Sequence, residues 1–373
     1  MKLQIQRGEL LSGLQRVQGV VERRNTMPIL ANVLLDARGQ QITIFATDLE
    51  IGIHTGHPAQ IERDGGVAVA ARKFYEIIRE LPELPIELSV DDSHQVRIKA
   101  GKSEFRIMGL GPHEFPTMPS VETETLFPIE RKLLSTLIRK AIFSVGDNDA
   151  RYILNGLQVV LNNGNESASI RLVGTDGHRL AVIDRLLTSQ PTAAAGEVTA
   201  IVPKKAALEI RKLIEEGDQE VQLGIGRSQL VFRCGGTLLL ARLMEGNYPN
   251  YQQVIPKGND QQIRTTRIEL EGALRRVSIL SREKTNAIKL ELLPGVLVLS
   301  ASHPDMGEAR EELAVAFSGE PIVTGFNARY LMDVLAAIEG EEVILEFRDA
   351  LSPCVLREQG DKDYLCVVMP MRV

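Results

Sequence analysis

Residues Val202-Pro-Lys-Lys-Ala-Ala-Leu-Glu-Ile-Arg-Lys-Leu-Ile-Glu-Glu216 read as a helix with two chemically distinct faces. Pro203 suits a first helical turn and Gly217 follows the end. At about 100° per residue, Ala206, Ala207, Ile210, Leu213 and Ile214 share one side. Lys204, Lys205, Arg211 and Lys212 share the other, with Lys204 stacked over Arg211 and Lys205 over Lys212.

The same block occurs earlier, as Val69-Ala-Ala-Arg-Lys-Phe-Tyr-Glu-Ile-Ile-Arg-Glu-Leu81, and later, from Phe326 to Ile338. A second repeat has the same period: Ala46-Thr-Asp-Leu-Glu50, Gly174-Thr-Asp-Gly-His178 and Ala301-Ser-His-Pro304. Three units of roughly 120 residues follow, each long enough for its own core. Their expected bounds are 1–122, 129–250 and 255–373, with Pro-rich or turn-rich linkers at 109–128 and 246–251.

The chain has 373 residues, 44% of them hydrophobic, which is the composition of a globular protein. Its start lacks an apolar leader and no run approaches a membrane span. Cys234, Cys354 and Cys366 are odd in number and lack metal or redox spacing, so a reduced, cytoplasmic setting is expected. The net charge of −6 argues weakly against nucleic acid, but its distribution matters more than its sum.

Six helices are expected, two per unit, among strands. In the first unit Leu10, Leu11, Leu14, Val17 and Val21 form the stripe of a helix over 8–23, with Arg16 and Arg23 opposite and Arg24 in the next loop. Its second helix turns Arg72 and Arg79 outward. The later units repeat the arrangement with Lys132 and Arg139, Lys204 and Arg211, and Arg275 and Arg282; the sixth helix carries only Arg329. Any surface helix presents a charged face, and Glu9, Glu76, Glu215 and Glu271 intrude on these. Recurrence of a basic pair in five helices nevertheless points to phosphate contacts that neutralise a backbone without reading bases. The chain has no Trp and 4% aromatic residues, and lacks zinc-finger or single-strand stacking patterns. A duplex held by backbone charge is the simplest match.

No phosphate-binding loop, zinc-protease or nucleophile-elbow motif occurs. The best candidate for chemistry is Thr175-Asp176-Gly177-His178-Arg179, where a hydrolase would use Asp176 and His178. The related Thr47-Asp48-Leu49 lacks His, which favours a turn-stabilising Asp. A monomeric, non-enzymatic scaffold is the other alternative.

The chain resembles the bacterial beta sliding clamp family, the processivity subunit of DNA polymerase III. The resemblance is carried by Pro28-Ile-Leu-Ala-Asn32, Ala46-Thr-Asp-Leu-Glu50, Ala71-Arg-Lys-Phe74 and Arg151-Tyr-Ile-Leu-Asn-Gly156. It continues through Thr175-Asp-Gly-His-Arg-Leu-Ala181, Ile279-Leu-Ser-Arg-Glu-Lys284, Gly325-Phe-Asn327 and Val367-Val-Met-Pro-Met-Arg372. It implies an α+β fold of three repeated domains, each with two helices packed on antiparallel sheets, and a head-to-tail dimer closing a ring with helices inside. Twelve helices ~10 Å wide give a circumference of ~120 Å and a hole of roughly 28 Å, wide enough for duplex DNA. A non-catalytic role follows, with no cofactor or metal.

The resemblance adds Asn148 and Tyr152, with Arg24, to the expected DNA contacts. It implies a partner-peptide pocket from Arg151, Leu154, Thr175, Gly177, His178, Arg179 and Leu180. Pro249, Val254 and the tail Val367, Val368, Met369, Pro370, Met371 and Arg372 complete it. The expected occupants are motifs with a Gln followed by apolar residues, from the polymerase alpha subunit, the clamp loader and repair proteins. Gln253 and Pro353 depart from the family's pattern at its rim. The tail is apolar where chain ends are usually polar, and Pro370 cannot continue a ladder. Ile279 falls on the polar side of its helix, and the family places its Ile279 and Leu280 counterparts at the dimer contact, beside strand 102–108 of the other subunit. Lys102 and Arg106 fit the basic pattern of that strand; Glu104 departs from it.

Overall fold

The computed structural model describes residues 1–21, 27–121, 126–164, 167–188, 196–215, 220–282 and 285–372. Among them are six α-helices: α1 (Arg7–Gln18), α2 (Ala71–Glu80), α3 (Arg131–Ile142), α4 (Lys204–Glu215), α5 (Arg267–Ser278) and α6 (Ala328–Ala337). The stripes read from sequence are the faces they bury. Leu10, Leu14 and Val17 of α1, Phe74 and Ile78 of α2, and Ile210, Leu213 and Ile214 of α4 are all buried. Each Leu, Ile or Phe so placed contributes about 1.5–3 kcal/mol relative to exposure.

Two helix boundaries differ from expectation. Pro203 is the last residue of strand Gly196–Pro203, opposite Gly156, rather than a helical residue. At that sheet position a missing N–H costs little, because the chain turns directly into α4. α1 ends at Gln18, where Val20 and Val21 donate to the carbonyls of Val17 and Gln18 and so tighten the final turn. The same ending closes α3, where Ser144 and Val145 bond Ala141 and Ile142. It also closes α5, where Ile279, Leu280 and Ser281 bond Arg276, Val277 and Ser278. Arg282 therefore lies past its helix and does not stack on Arg275. Arg23 and Arg24 lie outside the described residues.

The chain divides into two compact units. One is built mainly from Met1–Arg131 and Lys205–Leu243, the other mainly from Lys132–Thr188, Ala194–Lys204 and Met244–Val373. In the first unit one thirteen-stranded sheet runs from Phe127–Pro128 through Val221–Ile225, Gln229–Cys234, Thr237–Arg242, Ile51–Pro58, Gln41–Thr47 and Asn32–Arg38. It continues through Gly65–Ala70, Ser103–Leu110, Gln95–Ala100, Pro85–Val90 and Lys2–Gln6 to Gln60–Arg63. In the second unit an eight-stranded sheet has the order Gly196–Pro203, Gly156–Asn163, Ala168–Thr175, Arg179–Leu186, Tyr364–Val368, Cys354–Glu358, Glu342–Phe347, Gln261–Thr266. A four-stranded sheet runs Gly307–Ala314, Val296–His303, Ala287–Leu293, Ile322–Asn327. Every pairing is antiparallel.

The central repeat is thereby shared. Its strands 221–242 join the sheet of the first repeat, through Thr237–Arg242 against Ile51–Pro58, with Leu240 opposite Gly52. Its strands 156–186 join the sheet of the third, through Arg179–Leu186 against Tyr364–Val368, with Leu180 opposite Val367. Edge-to-edge pairing hides the strand edges that would otherwise be open.

Candidate functional site

The basic faces of α2, α4 and α5 carry their own counter-charges. On α2, Arg72 Nε donates to Glu76 at 2.9 Å, and Arg79 Nε donates to Glu80 at 2.9 Å while lying over the Tyr75 ring. On α4, Arg211 is 3.6 Å from Glu215. On α5, Arg275 pairs with Glu271, and Arg282 is exposed beyond the helix. Lys132, exposed on α3, forms no ion pair among the described residues. Three expected cations serve packing as well. Arg16 donates to Thr237 Oγ1 at 3.1 Å, Arg139 to the Ala337 carbonyl at 2.9 Å, and Lys204 to the Val145 carbonyl at 3.0 Å. Surface pairs of this kind are worth about 0–1 kcal/mol, so phosphate can displace the acids at little cost.

Asn148 and Tyr152 lie on the segment between α3 and strand Gly156–Asn163. Both are exposed, and Asn148 has φ 56°. Between them Asp149 accepts from Arg151 through backbone and guanidinium, which lowers its pKa to about 2.

The Thr-Asp repeat is one turn built twice. Asp176 Oδ1 accepts from the backbone N–H groups of His178 and Arg179, and Thr175 Oγ1 accepts from that of Gly177. Asp48 Oδ1 accepts likewise from Glu50 and Ile51, and Thr47 Oγ1 from Leu49. The third residue has φ 82° at Gly177 and 77° at Leu49, so only the second copy avoids left-handed strain. A Cβ at Gly177 would also lie 2.7 Å from the Arg151 guanidinium, which bonds the Asp176 carbonyl across the turn. Asp176 gives its second oxygen to Arg179 Nε, 3.0 Å away. The His178 ring stacks instead on Tyr330, with centroids 6.3 Å apart. A general base needs its imidazole oriented by the carboxylate, and that contact is not made. Among the described residues no group of three His, Cys, Asp or Glu side chains is placed to hold a metal.

Beside this turn the tail completes an apolar surface. Leu180 and Val367 are buried in one cluster with Val173, Val182 and Val355, against which Tyr248, Tyr251, Ile255 and Leu365 pack. Strand Tyr364–Val368 ends where Pro370 interrupts the ladder, after the Met369 N–H has bonded the His178 carbonyl at 2.9 Å. Met371 then crosses to the four-stranded sheet and bonds the Gly325 carbonyl at 2.8 Å. Val368 is buried, Met369, Pro370 and Met371 are half-buried, and Arg372 is exposed. Pro249 and Val254 are exposed at the linker; Leu154 is buried in the 3₁₀ turn Tyr152–Asn155, outside the cluster.

Sequence reasoning missed the aromatic frame of this surface. Tyr248 donates to the Val173 carbonyl at 3.2 Å, and burial pushes its hydroxyl well above the usual range, so it stays a donor. Tyr330 lies 4.5 Å from the Arg179 guanidinium, which also pairs with Asp333 of α6. Tyr248 and Tyr251 in a turn-rich linker were the available signal, since aromatic side chains there need a surface to cover.

The whole chain matches known proteins. Residues 1–119 match the N-terminal domain of the DNA polymerase III beta subunit, 128–250 its central domain and 252–372 its C-terminal domain. The beta sliding clamp of Caulobacter vibrioides is 38% identical over 377 residues, covering all of both chains. The crystal structure of the beta subunit from Pseudomonas aeruginosa superposes with a TM-score of 0.92 at 36% identity, and that of the Bartonella birtlesii sliding clamp with 0.94 at 34%, again over the full length of both chains. Matched in all three domains and across its full length, the chain belongs to the DNA polymerase III beta subunit family, the bacterial beta sliding clamps.

Proposed function

We propose that two copies close head to tail into a ring around duplex DNA and tether the replicative polymerase to it without catalysing a reaction. The sliding-clamp role comes with the family; what supports the ring in this chain is its open strand edges. Among the described residues, strand Gly307–Ala314 pairs on one side only, and Ser103–Leu110 leaves its outer edge free from Ser103 to Met108. Both are long and exposed, which a monomer does not tolerate well. Ile279 and Leu280 lie at the tightened end of α5, with Ile279 74% exposed, and join Lys102 and Arg106 in the contact between copies. Domains 1–122, 129–250 and 255–373 are the modules of the ring.

Its lining comes from Arg16, Arg72, Arg79, Lys132, Arg139, Lys204, Arg211, Arg275 and Arg282, with Arg23 and Arg24, and Asn148 and Tyr152 reach the DNA. The tail surface around Leu180, Val367 and Met369 receives linear motifs of the polymerase alpha subunit, the clamp loader and other partners. A cytoplasmic setting fits; no helix among the described residues is long and apolar enough to cross a membrane.

Protein loaded on nicked circular DNA should remain bound through gel filtration and leave when the circle is linearised. Equal loss from both forms would refute encirclement. Lys132→Glu with Arg211→Glu, both on helix surfaces, should weaken DNA association and reduce the slope of log K against log salt by about 1–2. An unchanged slope would remove these residues from the lining.

A further inference from the structure

The two junctions inside the chain are built to one pattern, and a third is half-present. Aligned on the cross-strand pairs Thr47–Gly52, Thr175–Leu180 and Ser302–Glu308, strands Ile51–Pro58, Arg179–Leu186 and Gly307–Ala314 occupy one position in the three repeats. In the first unit Thr237 stands opposite Thr55, Leu238 opposite His54, Leu239 opposite Ile53 and Leu240 opposite Gly52. In the second, Tyr364 stands opposite Ile183, Leu365 opposite Val182, Cys366 opposite Ala181 and Val367 opposite Leu180. The register is the same residue for residue.

A cation marks each junction. The tenth residues of α1, α3 and α5 are Arg16, Lys140 and Arg276. Arg16 bonds Thr237, and Lys140 lies 4.4 Å from the ring of Tyr364, so each reaches the first residue of the pairing strand. Arg276 is 63% exposed and bonds Glu311, which is equivalent to Thr55, on a strand with no second neighbour among the described residues. The corresponding pairing strand is Ser103–Leu110. Ser103 follows the two-residue turn Gly101-Lys102 and faces Ala100, as Thr237 follows Gly235-Gly236 and faces Cys234; Gly101 and Gly235 have φ 58° and 53°. Strand Thr237–Arg242 is buried up to Ala241, and so is all of Tyr364–Val368 except half-buried Leu365, whereas Ser103–Leu110 exposes Phe105 and Met108.

Resting on the ring proposed above, we infer that the junction between copies repeats this register, and that alternating charges on the two strands select it. Ser103 of one copy then stands opposite Glu311 of the other, and Phe105 opposite Ala309. Gly236 bonds Gly56 one step further along the first junction, which places Lys102 opposite Glu312. Glu104 then meets Arg310, and Arg106 meets Glu308: three cross-strand pairs of alternating sign. The reversed charge at Glu104 is matched by a reversed charge at Arg310. A one-residue slip turns one strand's side chains to the wrong face of the joined sheet. A two-residue slip in one direction sets Glu104 against Glu312 and Arg106 against Arg310; in the other it sets Glu104 against Glu308 and Lys102 against Arg310. Like charges directly opposite are unfavourable, so both slips are disfavoured. In the single chain Glu104 pairs with Arg97 of the neighbouring strand at 2.8 Å and with Arg106 of its own, and Arg310 pairs with Glu312; all are partly or fully exposed pairs, which exchange at little cost.

The test is sedimentation of the full-length chain and its E104R and R310E variants. Both positions are solvent-facing, so both variants should fold. Each variant alone should self-associate about tenfold or more weakly than wild type. An equimolar mixture should recover wild-type affinity, because a head-to-tail heterodimer then has one native pair and one swapped pair. The double variant E104R/R310E should recover as well. Single variants that dimerise like wild type, or a mixture no tighter than its components, would overturn the register while leaving the ring standing. A wild-type chain that is monomeric at all concentrations would overturn both.

Discussion

Lys140→Ala should lower the unfolding free energy by about 3–5 kcal/mol, more than any surface substitution in this chain. The Lys140 side chain is 2% exposed, beneath the hairpin that joins Cys354–Glu358 to Tyr364–Val368. Its ammonium pairs with Glu358 and with Asp361, 3.1 Å away, and sits against the Tyr364 ring; the Tyr364 hydroxyl donates to the Lys140 carbonyl at 3.0 Å. Removing the cation leaves Glu358, itself nearly buried, with the Gly340 N–H as its one remaining partner among the described residues. Burial alone would raise the Asp361 pKa, but bonds from Arg185 and Lys140 outweigh it and hold the carboxyl below the usual carboxylate range. The sign follows: this contribution is complete above the unfolded value of about 3.9 and is lost as pH falls through the lower folded value. Urea unfolding at neutral pH measures the substitution. A loss under about 1 kcal/mol would mean that the site relaxes or admits water, and that the cluster is not a buried tie.

Deleting Met369 to Val373 should weaken binding of a fluorescent peptide carrying a Gln-then-apolar motif at least about 100-fold, or roughly 2.7 kcal/mol. The segment is held by two backbone bonds, Met369 to His178 and Met371 to Gly325, so the deletion removes a fixed wall rather than a loose end. Met suits such a wall, being unbranched and able to repack against related apolar side chains. Val367 and Val368 are retained within the sheet, so folding and dimerisation should survive. Peptide anisotropy alongside sedimentation separates the outcomes. Full affinity in a folded, dimeric truncation would remove the tail from the pocket.

The helices, the repeated turn and the tail strand were legible in the sequence because local chemistry determines each of them. An apolar stripe at helical spacing has one side to bury. A Thr-Asp pair supplies the oxygens its own turn requires, and Pro370 must end a ladder wherever that ladder lies. The basic faces were legible as composition, but the use of each cation was not. Lys140 and Arg139 are adjacent in sequence, yet the first is buried under a hairpin more than 200 residues away and the second is tied to the end of α6. Periodicity along one helix carries no information about what its polar side meets. Tertiary structure alone decided that the central repeat is shared between two sheets, and that both internal junctions keep one register. Strand pairing between residues so distant is selected by the summed fit of two whole edges, which no local window of sequence contains.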